Sequence, residues 1–136
     1  GLTENDHTLD CLSAAGIEYV ADWVIDDQPV WLQAKPKPVL SVPYTVEIND
    51  IPMMLLQQHR SEELLLRGID QFERLWQESE TIPRVMSISV HPYVTGVPHR
   101  IGYFEKLLDH IQSRAGVVIQ TGEQISNWYR EQVPFK

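Results

Sequence analysis

A chain of 136 residues, 43% of them hydrophobic, can enclose one compact core, but it falls far short of the roughly 250 residues of a full eight-unit barrel. Eleven Lys and Arg against nineteen Asp and Glu leave a formal net charge of -8, which disfavours nucleic acid and anionic membranes as partners and leaves neutral substrates easier to accommodate. One cysteine, Cys11, permits neither an internal disulfide nor a thiolate metal site, and no apolar run reaches the length of a membrane span.

In chain order, helices alternate with short apolar strands. Thr3, with Asp6 three residues on, resembles a helix start; Leu9, Leu12 and Ala15 follow at helical spacing and Gly16 is a stop, so a first helix is expected over about residues 4–15. Ile17–Ala21 reads as a strand ending at Asp22-Trp23, and Val39–Val46, though broken by Pro43, reads as another, with a loop containing Pro29, Pro36 and Pro38 between them. Ser61 is placed to cap a long amphipathic helix carrying Leu64, Leu65, Ile69, Phe72, Leu75 and Trp76, ended before Pro83. Val85–Val90 is the clearest buried strand. A helix over about Arg100–Arg114 presents Ile101, Phe104, Leu107, Leu108 and Ile111 as one stripe and stops at Gly116. Val117–Ile119 reads as a short strand, and Thr121-Gly122-Glu123-Gln124 is a capping box opening a last helix.

This alternation predicts a single α/β domain over residues 1–136, with mostly parallel strands, right-handed crossovers and the strand carboxyl ends on one rim. Polar clusters fall there: Asp22-Trp23, then Tyr44 with Glu47 and Asn49, then His91, a titratable imidazole between an apolar strand and the turn-rich Pro92–Pro98. Tyr44, Glu47 and Asn49 either contact a substrate or support the pocket, with helix capping before Ile51-Pro52 an equal role for Asn49 or Asp50. The acidic pair Asp26-Asp27 reads as solvated or capping. Trp31, Trp76 and Trp128 read as packing residues. His7, His59, His91, His99 and His110 include no pair three or four apart, so an isolated helical zinc motif is excluded.

The segments Ala21-Asp22-Trp23, Val42–Asp50 (Val-Pro-Tyr-Thr-Val-Glu-Ile-Asn-Asp) and Ile88–Arg100 (Ile-Ser-Val-His-Pro-Tyr-Val-Thr-Gly-Val-Pro-His-Arg) resemble the NodB-homology polysaccharide deacetylases. The likeness is greatest to their allantoinase-type (PuuE-like) branch and to the peptidoglycan deacetylases. It covers essentially the whole chain, in order and spacing, but only the carboxyl-terminal part of the family's fold. The resemblance implies a partial (β/α) barrel. It also implies hydrolysis of a non-peptide carbon–nitrogen bond in an acetylated sugar or a cyclic amide such as allantoin, so the partner expected is a small-molecule or glycan substrate. By the same resemblance His91 is the general acid, Asp22 the carboxylate that supports it and Trp23 a wall of the substrate pocket, while His99 and Arg100 are placed to hold the site loop. A carboxylate beside an imidazole favours the charged ring, so a proton is at hand for the departing nitrogen.

The family's early Asp-Asp and His-x-x-x-His motifs, which supply the base and the metal ligands, are not found in these residues. No cofactor is therefore expected in this piece, and a divalent metal is expected only in a full-length protein. The chain reads as a fragment, inactive alone and cytoplasmic. Uncovered apolar faces and an unpaired sheet edge lead to the expectation of a homodimer or larger homo-oligomer. A non-catalytic ligand-binding or oligomerisation module is the alternative.

Overall fold

In the computed structural model, which describes residues 3–136, helix α1 spans Thr8–Ala14 and starts later than the Thr3 pattern suggests. Asn5 makes the entry turn instead: its side-chain oxygen accepts from the His7 amide at 2.9 Å, and its own amide donates to Thr8 Oγ1 at 2.9 Å. Gly16, at φ +83°, takes the chain out of α1 through the left-handed region, with the Ile17 amide donating back to the Leu12 carbonyl at 3.0 Å.

Strands β1 (Tyr19–Val20), β2 (Val30–Leu32) and β3 (Val39–Ser41) form one sheet in the order β1-β3-β2. β1 runs parallel to β3, with Tyr19 opposite Leu40 and Val20 opposite Ser41; β2 runs antiparallel, with Trp31 opposite Leu40. The sheet is thus mixed rather than mostly parallel. Residues 33–38 are too short a link for a crossover, which takes about a dozen residues, so β2 and β3 must pair as a hairpin. The prolines that made this stretch read as loop flank β2 and leave its three residues free to pair. Ser13 of α1 pins the hairpin loop, its hydroxyl donating to the Lys37 carbonyl at 2.6 Å and accepting from the Lys37 amide at 2.9 Å. Leu9 and Leu12 of α1 pack with Leu32 against buried Val20, Ala34 and Val39.

The last helix, α4 (Gly122–Gln132), belongs to the same compact unit, which comprises the residues up to Tyr44 together with Ile119–Lys136. Its expected capping box is formed: the Gln124 amide donates to Thr121 Oγ1 at 3.2 Å, and the Thr121 amide donates to Gln124 Oε1 at 2.8 Å. Arg130 of α4 grips Glu18 with two hydrogen bonds, 2.7 and 3.1 Å, which hold the Glu18 carboxyl below its ordinary range and the guanidinium above its own.

The second compact unit, Thr45–Val118, is built on α2 (Glu63–Glu78) and α3 (Ile101–Gln112). Leu64, Gly68, Phe72 and Leu75 recur at helical spacing on the buried face of α2, and Leu107 and Ile111 answer them from α3. A Cβ added at Gly68 would stand 2.7 Å from Leu107 Cδ1, so the missing side chain is what admits a fully buried leucine. Such a side chain contributes roughly 1.5–3 kcal/mol by leaving water. Ser61 does not cap α2; Glu62 holds that position without a side-chain bond. Residues 85–90, expected as a buried strand, are half-buried and make a single parallel bridge, Ser89 to Asn49, because among the described residues they are paired along one side only. Val117–Ile119 forms no strand; Val118 is 75% exposed. No helix among the described residues is long and apolar enough to cross a membrane.

Candidate functional site

Two backbone segments meet at the Asn49–Ser89 bridge. The Ser89 amide donates to the Ile48 carbonyl at 3.0 Å and the Asp50 amide donates to the Ser89 carbonyl at 3.1 Å, which sets residue 50 beside residue 91. Upstream, the Thr45 hydroxyl accepts from the Glu47 and Ile48 amides and donates to Glu47 Oε2 at 3.1 Å, forming a local turn. Downstream, Asn49 Oδ1 accepts from the Ile51 amide at 3.2 Å, opening a π-helical turn over Ile51–Leu56. Glu47 and Asn49 thus make local turn contacts on either side of Ile48.

Asp50 stands at the cap position of that turn, yet its carboxylate caps nothing there. It is turned instead to the loop after residue 90. Its Oδ1 accepts from His91 Nδ1 at 2.6 Å, and its Oδ2 accepts from the His91 amide at 2.7 Å and from Thr95 Oγ1 at 2.6 Å. The side chain is 0% exposed, and three donors at charge-assisted lengths are the physical condition for keeping a carboxylate there. An ionised carboxylate can only accept, so the ring proton must sit on Nδ1. Nε2 is thereby left free to take or give a proton, on a ring whose side chain is 37% exposed.

The loop that carries His91 is itself held. The Val94 and Thr95 amides both donate to the His91 carbonyl at 2.9 Å, and Arg100 Nη1 donates to the Val94 carbonyl at 3.1 Å. Val94 and Thr95 are buried, so the loop is anchored from beneath. At Gly96 a Cβ would collide with the backbone of Pro92, its carbonyl carbon only 3.2 Å away, so the tight return of this loop requires glycine. Tyr93, 67% exposed, sets its ring 5.8 Å from the imidazole at 60° and gives the site an aromatic flank.

The resemblance placed Asp22 against His91, whereas the carboxylate on Nδ1 is Asp50. That nitrogen has one proton to give, and Asp50 accepts it. Asp22 is exposed in the irregular stretch after β1, and Trp23 beside it is half-buried. Sequence reasoning named Asp50 only as a capping residue, and Thr95 and Tyr93 only within the resembling segment. The available signal was an acidic residue wedged between Ile48 and Ile51, with a hydroxyl four residues beyond the histidine.

A second histidine–carboxylate pair has a different character. Glu73 Oε1 accepts from His110 Nε2 at 2.7 Å and also from Arg114 Nη2 at 2.6 Å and Nε at 3.0 Å. Arg114 foremost, with His110, holds the Glu73 carboxyl below its ordinary range. This cluster ties α2 to α3, with both partners of the carboxylate turned inward on it, whereas His91 pairs a carboxylate that is 0% exposed with a ring whose side chain is 37% exposed. Among the described residues no three His, Cys, Asp or Glu side chains converge as metal ligands, so they do not fit the metal implied for the family and no step is routed through one.

No family model matches the sequence. A Schizosaccharomyces pombe protein assigned to the polysaccharide deacetylases is 35% identical over 82% of this chain and 38% of its own length. A crystal structure of a Pseudomonas aeruginosa PAO1 protein, likewise assigned as a polysaccharide deacetylase, superposes with a TM-score of 0.88 at 29% identity, over 97% of this chain and 45% of its own. The PuuE allantoinase shares the fold, with a TM-score of 0.89 at 24% identity over 98% of this chain and 45% of its own. In sequence and in fold, the chain is similar to polysaccharide deacetylase-type proteins, and it spans less than half the length of the proteins it matches.

Proposed function

We propose that this chain carries the proton-donating side of a hydrolase site for a non-peptide carbon–nitrogen bond, with His91 as general acid and Asp50 as the residue that positions it. The observation that carries the reading is the buried carboxylate holding Nδ1 of a half-exposed imidazole. Asp50 fixes the ring through Nδ1, and in the charged form of the ring Nε2 also bears a proton. As water adds to the amide carbonyl carbon, losing one proton to solvent, and the carbon–nitrogen bond breaks, Nε2 gives its proton to the departing nitrogen. The ring returns to its neutral, Nδ1-protonated state.

The relatives' assignments support an amide in an acetylated sugar as substrate; a cyclic amide rests on the sequence resemblance alone. Tyr93 flanks the ring where such a group would approach, and Arg100 supports the loop from its carbonyl side. The parallel pairs β1–β3 and Asn49–Ser89, with the close superposition on two deacetylase-type folds, support reading the chain as part of a (β/α) barrel.

The deciding experiment is release of acetate from N-acetylglucosamine oligomers, and hydrolysis of allantoin, by the natural polypeptide and its His91→Ala variant. General acid–base catalysis is worth about 10²–10⁴-fold, so a loss of that size is expected. Unchanged turnover in His91→Ala overturns the assignment.

A further inference from the structure

Two hollows open side by side in the unit that contains the β1-β3-β2 sheet, and the proposed hydrolysis uses neither. One, of about 390 Å³, lies among the end of α1, the Pro36–Pro38 loop and Arg130. The other, of about 510 Å³, lies between α4 and the Pro134-Phe135 segment. Trp31 and Arg130 line both, so the two hollows adjoin at these side chains.

The indole is fixed before any ligand arrives. Its Nε1 donates to the Val133 carbonyl at 2.7 Å, and the Phe135 ring meets it edge-on with centroids 5.6 Å apart. The polar wall is equally set, because Arg130 holds Glu18 by two hydrogen bonds. Glu18 nevertheless keeps 62% of its side chain exposed and Arg130 34%, leaving lone pairs and N–H groups open to a ligand. The charges along the hollows balance, Lys37 and Arg130 against Glu18 and Glu131, which favours a neutral ligand over an anion. Two adjoining open hollows, rather than one enclosed cavity, suit a chain of repeating units better than a single small molecule.

We infer that these hollows form one groove for a neutral glycan, in which Trp31 packs on the hydrocarbon face of a sugar ring while Glu18 and Arg130 bond its hydroxyls. This reassigns Trp31 from packing residue to ligand platform. It rests on the hydrolase reading only for the choice of an N-acetylated sugar among the probes.

Binding of β-1,4-linked tetramers of N-acetylglucosamine and of glucose is measured by calorimetry on the natural polypeptide. At least one tetramer is expected to bind. Trp31→Ala should weaken it about tenfold or more, a change of ~1.4 kcal/mol or greater, while Trp128→Ala, an exposed tryptophan that does not line the hollows, should bind as the parent does. Neither tetramer binding, or Trp31→Ala binding unchanged, overturns the groove. Because Trp31 also anchors Val133, Arg130→Gln decides if Trp31→Ala does not fold: severalfold weaker binding upholds the groove and unchanged affinity overturns it. The two readings fail separately. Parental turnover in His91→Ala sinks the acid and leaves the groove standing; parental glycan affinity in Trp31→Ala does the reverse.

Discussion

Replacing Asp50 separates its two jobs, holding the loop and orienting the ring. In Asp50→Ala the His91 amide, the His91 ring and the Thr95 hydroxyl all lose an acceptor that is itself 0% exposed. Leaving buried donors unsatisfied costs about 1–3 kcal/mol each. That is a large share of the 5–15 kcal/mol by which domains of this kind are stable. Asp50→Asn is milder. If the amide oxygen takes the place of Oδ2, the bonds from the His91 amide and from Thr95 survive. The amide nitrogen then faces His91 Nδ1 as a donor, so the ring must present a lone pair there and carry its proton on Nε2 instead. The stability loss should be about 1–3 kcal/mol, because all three charge-assisted bonds become neutral ones, but the resting tautomer is reversed. Urea unfolding followed by tryptophan fluorescence measures the first effect, and nitrogen NMR of the His91 ring reads the second. An Asp50→Ala protein within about 0.5 kcal/mol of the parent, or an Asp50→Asn ring still protonated on Nδ1, would refute the reasoning.

At Gly96, alanine would press on the Pro92 backbone, which cannot yield as a side-chain tip would; turnover should fall while urea stability drops by about 1–3 kcal/mol, and an unchanged protein would show the loop to be looser than described. Gly68→Ala should destabilise by about 1–2 kcal/mol through Leu107, despite alanine's better helix propensity, and adding Leu107→Ala should produce a coupling energy that two independent sites would not show. Glu73, whose carboxyl is held below its ordinary range in the folded protein chiefly by Arg114, contributes stability present above the unfolded value and lost as pH falls through the folded one; Glu73→Gln should therefore flatten the acid limb of the stability curve, and an identical limb in both proteins would contradict the assignment.

The helices were the legible part of the fold, because each satisfies its backbone hydrogen bonds within its own segment. The stripe on α2, the Leu107–Ile111 face of α3 and the Thr121–Gln124 box could be read from spacing alone, with errors confined to the ends, where Asn5 rather than Thr3 and Glu62 rather than Ser61 mark the starts. The strands were less legible because a strand exists only with its partner. Val30–Leu32 is a strand since β3 lies beside it, and Val117–Ile119, equally apolar, is none. The same holds for the Glu18–Arg130 pair, whose members are far apart in sequence.

His91 itself was readable from one chain position, as an imidazole at the edge of an apolar run before a loop whose glycine and prolines restrict it. Its partner was not. Local sequence marks Asp50 as a capping residue ahead of Ile51-Pro52, and only the Asn49–Ser89 bridge brings its carboxylate to residue 91. Periodicity and turn chemistry are local properties, so the sequence by itself determined the helices, the site loop and the candidate histidine. Which carboxylate meets the ring, and which nitrogen is left free, was decided by a tertiary contact between segments some forty residues apart, where burial forces every polar group to find its partner.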